Sequence, residues 1–304
     1  MHVILLGTAA GGGFPQWNCW CPTCRIAREN PELAKPRSQS SIAFSADGAR
    51  WFLGNASPDV RDQLSHLPRG AVPGVGVRHV PVEGIVLTDA ELDHTLGIAL
   101  LREGGLLQII ATSGVMRTSA EDSRVLPVTE AFATVQVVEI DLGDAKPLLY
   151  RDGSPSGMTV ELKAVRGDPP RFARQEEIGH TVAAFVRDER TGKSFAFVPG
   201  CGGLGPKLLA RLNEADLLLF DGTFWTNDEL NRLDISDRPA LAMGHVPISG
   251  PEGSLAALSQ LACRQKVYTH INNTNPRLIE ASPERAAVEA AGLVVGMDGM
   301  RFEL

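Results

Sequence analysis

One stretch constrains this chain more than any other: Gly84-Ile85-Val86-Leu87-Thr88-Asp89-Ala90-Glu91-Leu92-Asp93-His94-Thr95-Leu96-Gly97. An apolar run stops in a polar turn, and an apolar-periodic segment follows. That pattern predicts a buried strand, a loop and the start of a helix. The turn gathers three carboxylates and one imidazole at a strand's carboxyl end, where α/β folds place their sites. Asp93 and His94 offer one oxygen and one nitrogen ligand, and Asp89 and Glu91 add oxygens on one side of an extended chain. An acidic helix N-terminus explains one acid through the helix dipole, but not three acids and a histidine. The stretch therefore reads as a metal site.

Length and composition narrow the class. The chain has 304 residues, is 43% hydrophobic and 21% charged, and carries a formal net charge of -7. That balance is globular and argues against a nucleic-acid-binding surface. No apolar run has membrane-spanning length, so no membrane partner is expected. Met1-His2 leads straight into a short strand without a basic segment or long apolar core. A cytoplasmic location is the expectation, and the five cysteines then point to metal rather than disulfides.

Three of those cysteines fall within six positions, Cys19-Trp20-Cys21-Pro22-Thr23-Cys24. The proline turn between them lets all three thiolates face one centre, which suits structural zinc. A fourth ligand has to come from elsewhere in the chain.

Strands are expected at Val3–Leu6, at Ser40–Ala46 and Trp51–Gly54 as a hairpin turned at Asp47-Gly48, and at Leu106–Ala111, Val135–Ile140 and Val160–Val165. His180–Arg187 and Ser194–Pro199 read as a second hairpin, turned at Thr191-Gly192. Asp216–Phe220 and Lys266–Thr269 are further strands, and a final hairpin reaches Phe302. Helices are expected at Pro58–Leu67, capped by Ser57, and at Leu204–Leu212, Pro251–Leu261 and Glu284–Ala291. Residues 72–81 read as a Gly/Pro/Val loop containing His79. The glycine run Gly7–Gly13 lacks the Lys-Ser/Thr of a phosphate cradle and reads as backbone close to substrate or tightly packed. Arg166 and Arg171 lie in one polar loop and are candidates to meet substrate carboxylates. Asp221 and His270 end strands, and His245 precedes a helix. The elements run as two successive strand-rich halves, which suits two packed sheets with helices outside. No linker interrupts them, so one domain over residues 1–304 is expected.

These residues resemble the metallo-β-lactamase superfamily over almost the whole chain, which implies an αββα sandwich of the α/β class with two mixed sheets. Asp89-x-Glu91-x-Asp93-His94 stands where that family has His-x-His-x-Asp-His. Asp221-Gly222-Thr223-Phe224 resembles the His-Glu-Ala-Thr-Phe of its tRNA-processing members, with Asp221 matching the Glu. Gly244-His245 and Thr269-His270 resemble the family's Gly-His-Ser and Thr-His. The cysteine box is shared with certain phosphodiesterases, whose fourth zinc ligand falls at Asn273 here. Asn273, a water and a distant histidine stay open as that ligand. With Phe14–Cys19 and His270–Pro276 added, the chain looks like the branch serving pyrroloquinoline quinone (PQQ) biosynthesis.

The departures matter equally. Arg166 falls where a third histidine is expected, and Cys201 where a bridging aspartate is. Asp93, His94 and His270 remain, a two-His, one-carboxylate set of the kind non-haem Fe(II) uses with O2. The resemblance implies a hydroxylase of the tyrosine ring in a cross-linked Glu-Tyr PQQ precursor. Asp221 and His245 would be further ligands or proton carriers, and Asp89 and Glu91 ligands or groups that orient them. A non-catalytic carrier of PQQ or its precursor, and a single-metal hydrolase, are the other readings. A homodimer is a candidate assembly.

Overall fold

The computed structural model describes residues 1–68 and 81–304. Of the expected loop at 72–81, all but Pro81 lies outside the described residues.

The first sheet comprises β1 (His2–Gly7), β2 (Ser41–Ser45), β3 (Trp51–Gly54), β4 (Val82–Val86), β5 (Leu106–Ala111) and β6 (Thr134–Glu139). The second comprises β7 (Ala145–Leu149), β8 (Pro155–Ala164), β9 (Val182–Asp188), β10 (Ser194–Val198), β11 (Leu217–Asp221), β12 (Gln265–Thr269) and β13 (Val294–Val295). The last strand, β14 (Arg301–Glu303), returns to the first sheet beside β1, giving orders β14-β1-β2-β3-β4-β5-β6 and β13-β12-β11-β10-β9-β8-β7. Each sheet has antiparallel pairs on one side and parallel pairs on the other. The two halves of the chain thus repeat one plan, as the strand pattern predicts.

Alternation along the strands makes the layers. Val3 and Leu5 of β1, Ile42 and Phe44 of β2 and Phe52 of β3 point inward. They meet Phe195 and Phe197 of β10 and Leu217 and Leu219 of β11 between the sheets. Ile4, Leu6, Ala43 and Leu53 face outward, under the helices on the first sheet. Ala196, Val198, Leu218, Phe220 and Tyr268 do the same on the second. Strands buried on both faces have to be continuously apolar, which is why they are plain in the sequence. The fold is the expected two-sheet sandwich with helices outside.

Several local expectations need correction. The helix expected at Pro58–Leu67 spans only Val60–Gln63 before tightening into a 3₁₀ turn at Leu64–His66. The Ser57 hydroxyl bonds Gln63 Oε1 and the Asp59 amide, at the two ends of the segment. The expected helices at 204–212 and 251–261 begin later, at Pro206 and Ser254, because Gly202–Gly205 and Gly250–Gly253 stay extended or turned. The final hairpin does not exist: β13 pairs with β12 in one sheet and β14 with β1 in the other. The helix Pro22–Glu29 and the edge strand β7 were not foreseen. The helix hid behind the cysteines, and β7 is largely exposed, without the apolar alternation that marks a strand.

Candidate metal centre

The carboxyl ends of β4, β11 and β12 converge, so residues far apart in the chain meet. The turn after β4 supplies Asp89, Glu91, Asp93 and His94, with Asp93 and His94 on the one-turn helix Leu92–Thr95. β11 ends at Asp221, and His270 follows β12 directly. His245 comes from the loop after a 3₁₀ turn at Ala240–Met243. All of these except the fully buried Asp221 line a cavity of 240 Å³, together with Gly11, Gly167, Thr223, Phe224 and Asn272.

Two overlapping clusters of possible ligand atoms form there. In Asp93–His94–His270 and in Asp221–His245–His270, the candidate atoms lie within 4.8 Å of one another. Asp93 Oδ2 stands 3.4 Å from His270 Nε2 and 3.8 Å from His94 Nε2. The imidazole of His270 lies between the others, with ring centroids 5.2 Å from His94 and 5.3 Å from His245.

The Nδ1 side of each ring is occupied by an oxygen. Asp89 holds His94 Nδ1 at 2.7 Å, Asp221 Oδ2 holds His245 Nδ1 at 2.8 Å, and the Thr223 hydroxyl lies 2.8 Å from His270 Nδ1. A proton fixed on Nδ1 leaves Nε2 with its lone pair, the state of a metal-ligating imidazole. His94 Nε2 is buried without a hydrogen-bond partner, the kind of orphan that a cation satisfies. The residues present therefore fit a metal ion, with Asp93, His94 and His270 as its nearest ligands and His245 beside them. Asp89 and Asp221 hydrogen-bond the Nδ1 atoms of His94 and His245. Asp221 spends its oxygens on His245, the Thr223 hydroxyl and the Cys201 amide.

The charges follow from this arrangement. Burial alone would raise Asp89, but the His94 imidazolium and its hydrogen bond hold it below the usual carboxylate range. Asp93 is likewise lowered, against its burial, by His94 and His270. Burial would lower His94, yet Asp89 and Asp93 raise it to about 9, so without a metal the ring holds a proton on each nitrogen, and a cation would bind by displacing the one on Nε2. Glu91 goes the other way: burial, with Asp89 and Asp93 close by, pushes it up to about 7. Asp89 and Glu91, alike in sequence, thus differ: one carboxylate braces a ring and the other faces the cavity.

The remaining candidates are placed as follows. Gly11 sits against Asp93, where a Cβ would stand 3.3 Å from its carboxylate, so the glycine run serves close packing at the centre. Arg171 borders a 400 Å³ antechamber that shares Gly11, Glu91 and Asp93 with the central cavity. Arg166 lies instead on a 1020 Å³ groove with Gly202 and Gly203, beyond the wall that Gly167 and Gly200 contribute to the central cavity. Cys201 is buried, its thiol pushed up to about 12 by burial and bonded to the Gly203 carbonyl. The sulfurs of Cys19, Cys21 and Cys24 lie within 4.8 Å of one another, a fit to the three-thiolate part of a zinc site. The Asn273 side-chain amide donates toward Cys24 Sγ at 3.3 Å, so its nitrogen rather than its oxygen faces the sulfurs. Thr223, at the hub of the hydrogen bonds, was not singled out from sequence; the only signal was its place in Asp221-Gly222-Thr223-Phe224.

The sheet plan and a metal-ready cluster at the strand tips define a metallo-β-lactamase fold. A family model for the Beta-lactamase superfamily domain matches residues 50–271. The coenzyme PQQ synthesis protein B of Methylobacterium radiotolerans is 42% identical, with 100% of both chains covered. The crystal structure of Zn(2+)-bound PqqB from Methylobacterium extorquens superposes with a TM-score of 0.90 at 40% identity, covering 100% of both chains. A diphosphatase from the PhnP family shares the fold, with a TM-score of 0.67 at 19% identity over 100% of this chain and 97% of its own. This chain belongs to the coenzyme PQQ synthesis protein B family of the β-lactamase superfamily.

Proposed function

We propose that this protein acts in PQQ biosynthesis as a metal-dependent hydroxylase of the tyrosine ring of a Glu-Tyr-derived precursor. One observation carries the reading. A carboxylate and two imidazoles, Asp93, His94 and His270, cluster within 4.8 Å on the wall of a cavity, with His94 Nε2 unsatisfied. Such a set leaves positions open for oxygen and substrate. Fe(II) held there would supply the redox chemistry that, with O2 and two electrons from an external reductant, puts a hydroxyl on an aromatic ring and releases the second oxygen atom as water.

The chain's own residues do the rest. Asp89 and Asp221 keep their imidazoles oriented. Phe224, edge-on to His245 with centroids 5.9 Å apart, gives the cavity an aromatic wall for a ring. Glu91, with its carboxyl near neutrality in ionisation, can hold or release a proton beside that ring. A cavity of 240 Å³ suits a ring better than a whole Glu-Tyr unit, so the carboxylated end extends into the antechamber, toward Arg171. A guanidinium there pairs with carboxylates in a bidentate fork, and Arg166 serves any part reaching the outer groove. At the cysteine box we place a structural zinc.

The Zn(2+)-bound state of the Methylobacterium extorquens relative favours a second reading, since zinc has no redox chemistry. In it the centre is a single-zinc hydrolase or a carrier for PQQ or its precursor.

The test is anaerobic Fe(II) titration of the protein, then oxygen, then mass analysis of the Glu-Tyr-derived substrate. Product heavier by oxygen is expected. Cleavage would favour the hydrolase, and unchanged but bound substrate the carrier. His270→Ala should abolish turnover, whereas Asp89→Asn should cost about 10–100-fold, as expected for a group acting through a ligand.

A further inference from the structure

We propose that Thr223 is the positioning residue that sets the tautomer and orientation of His270, and through them the metal affinity of the centre. The inference rests on the metal-centre reading above and adds a residue to it.

The Thr223 side chain is buried and makes four close polar contacts. Its hydroxyl lies 2.6 Å from Asp221 Oδ1, 2.8 Å from His270 Nδ1, 2.9 Å from the His270 carbonyl oxygen and 3.1 Å from His245 Nδ1. A hydroxyl has one proton to give. The nearest and strongest acceptor is the Asp221 carboxylate, which can only accept. With its proton committed there, the Thr223 oxygen has only lone pairs left for the imidazole. His270 Nδ1 must then carry the hydrogen and donate it. The lone pair of that ring is on Nε2, the atom 3.4 Å from Asp93.

The backbone keeps this hydroxyl in place. The Thr223 amide donates to Asp221 Oδ1 at 3.0 Å, and the Thr223 carbonyl accepts from the Asn272 amide at 3.0 Å. The Gly222 amide also donates to the Thr269 carbonyl at 2.8 Å, so residues on both sides of His270 are tied to the tip of β11. His270 itself has φ +52°, in the left-handed region that a non-glycine residue adopts only when its surroundings hold it. Thr223 touches both the ring and the carbonyl of that residue. His94 and His245 are each braced by a carboxylate, but His270 has a neutral hydroxyl on that side. Its orientation therefore depends on a single proton donated by Thr223 to Asp221.

Two measurements test the proposal. The first is zinc affinity, measured by competition with a chromophoric chelator on metal-depleted full-length protein refilled at the cysteine box. Thr223→Val, which keeps the shape and removes the hydroxyl, should weaken zinc binding at the centre about 10–100-fold, as loss of a ligand-orienting partner does. Thr223→Ser should restore affinity to within about threefold of the parent, far inside that range. Equal weakening by valine and serine would reduce Thr223 to a packing residue and overturn the proposal. The second is the nitrogen-15 shift of His270 in the metal-free parent, which requires no variant to fold. Protonation on Nδ1 is expected; protonation on Nε2 would overturn the assignment. Should the parent bind no zinc beyond the cysteine box, the metal-centre reading fails instead, and the nitrogen shift still decides the role of Thr223.

Discussion

A buried carboxyl carries a desolvation cost that hydrogen bonds offset only in part. Glu229 is an example outside the centre. It is buried, accepts from the Trp225 amide at 2.6 Å and receives the Thr274 hydroxyl, yet burial still pushes its carboxyl up to about 7. Its folded pKa lies above the unfolded value of about 4.3. Between those values the native state holds a proton that the unfolded state has released. Stability from this group is therefore fully present below about pH 4 and is lost as pH rises to about 7, by about 4 kcal/mol in all. Glu229→Gln should flatten the fall in stability between pH 5 and 8 by a large part of that amount, read from urea denaturation at each pH. An unchanged slope would mean that the carboxyl ionises at no cost. At this level the sequence was only half informative. Asp93, His94 and His270 stand out because a ligand must be a particular residue type. Asp89 and Glu91 look interchangeable until burial separates a brace from a cavity acid. Thr223 gave no chemical signal, because a hydroxyl acts here only through what surrounds it. Arg166 and Arg171 look like one patch in the loop, and the fold sends them to different cavities.

The short helical segment carrying Asp93 and His94 is held by backbone contact rather than by helix propensity. Four residues cannot stabilise a helix alone. Instead the Ala56 amide donates to the His94 carbonyl at 2.8 Å, and the Gly97 amide donates to the Ala56 carbonyl at 2.9 Å. The two chains run so close that a Cβ on Gly97 would stand 2.2 Å from the Ser57 carbonyl oxygen and 2.6 Å from that of Ala56. Both obstacles are backbone and cannot rotate away. Gly97→Ala should therefore destabilise the protein by about 3 kcal/mol or more, since overpacking against fixed atoms costs 1–3 kcal/mol even where side chains yield. It should also weaken metal binding, because the helix has to back away from β3 with its two candidate ligands. A melting temperature within about 1 °C of the parent would show that the segment accommodates the methyl freely. Strands and their tips were legible because burial on both faces demands unbroken apolar runs. Helix limits were not: Pro206 and Ser254 mark starts that glycine-rich entry segments postpone, and such segments look alike inside and outside a helix.

The two halves of the chain repeat one plan, and the centre lies where they meet. Asp93 and His94 follow β4 of the first sheet, while Asp221 ends β11 of the second, Thr223 follows it, and His270 follows β12. A metal held by Asp93, His94 and His270 therefore ties one sheet to the other at their carboxyl ends. A ligand that binds only the folded state stabilises it by RT ln(1 + [L]/Kd), about 4 kcal/mol at a thousandfold excess over Kd. For a chain of 304 residues the unfolding entropy is about 0.6 kcal/mol per kelvin, so the melting temperature should rise by about 6 °C. His94→Ala should abolish that rise, because it removes the first sheet's imidazole and leaves the Asp89 carboxylate buried beside an empty ring position. The quantity to read is the metal-induced shift in each protein, not the absolute melting temperature, since the variant loses core contacts as well. Zinc at the cysteine box has to be present throughout, which a mild chelator achieves if the three thiolates bind more tightly than the centre does. A shift of the same size in His94→Ala would mean that the ion does not bridge the sheets through this residue, and Asp221, His245 and His270 of the second half would then hold it by themselves.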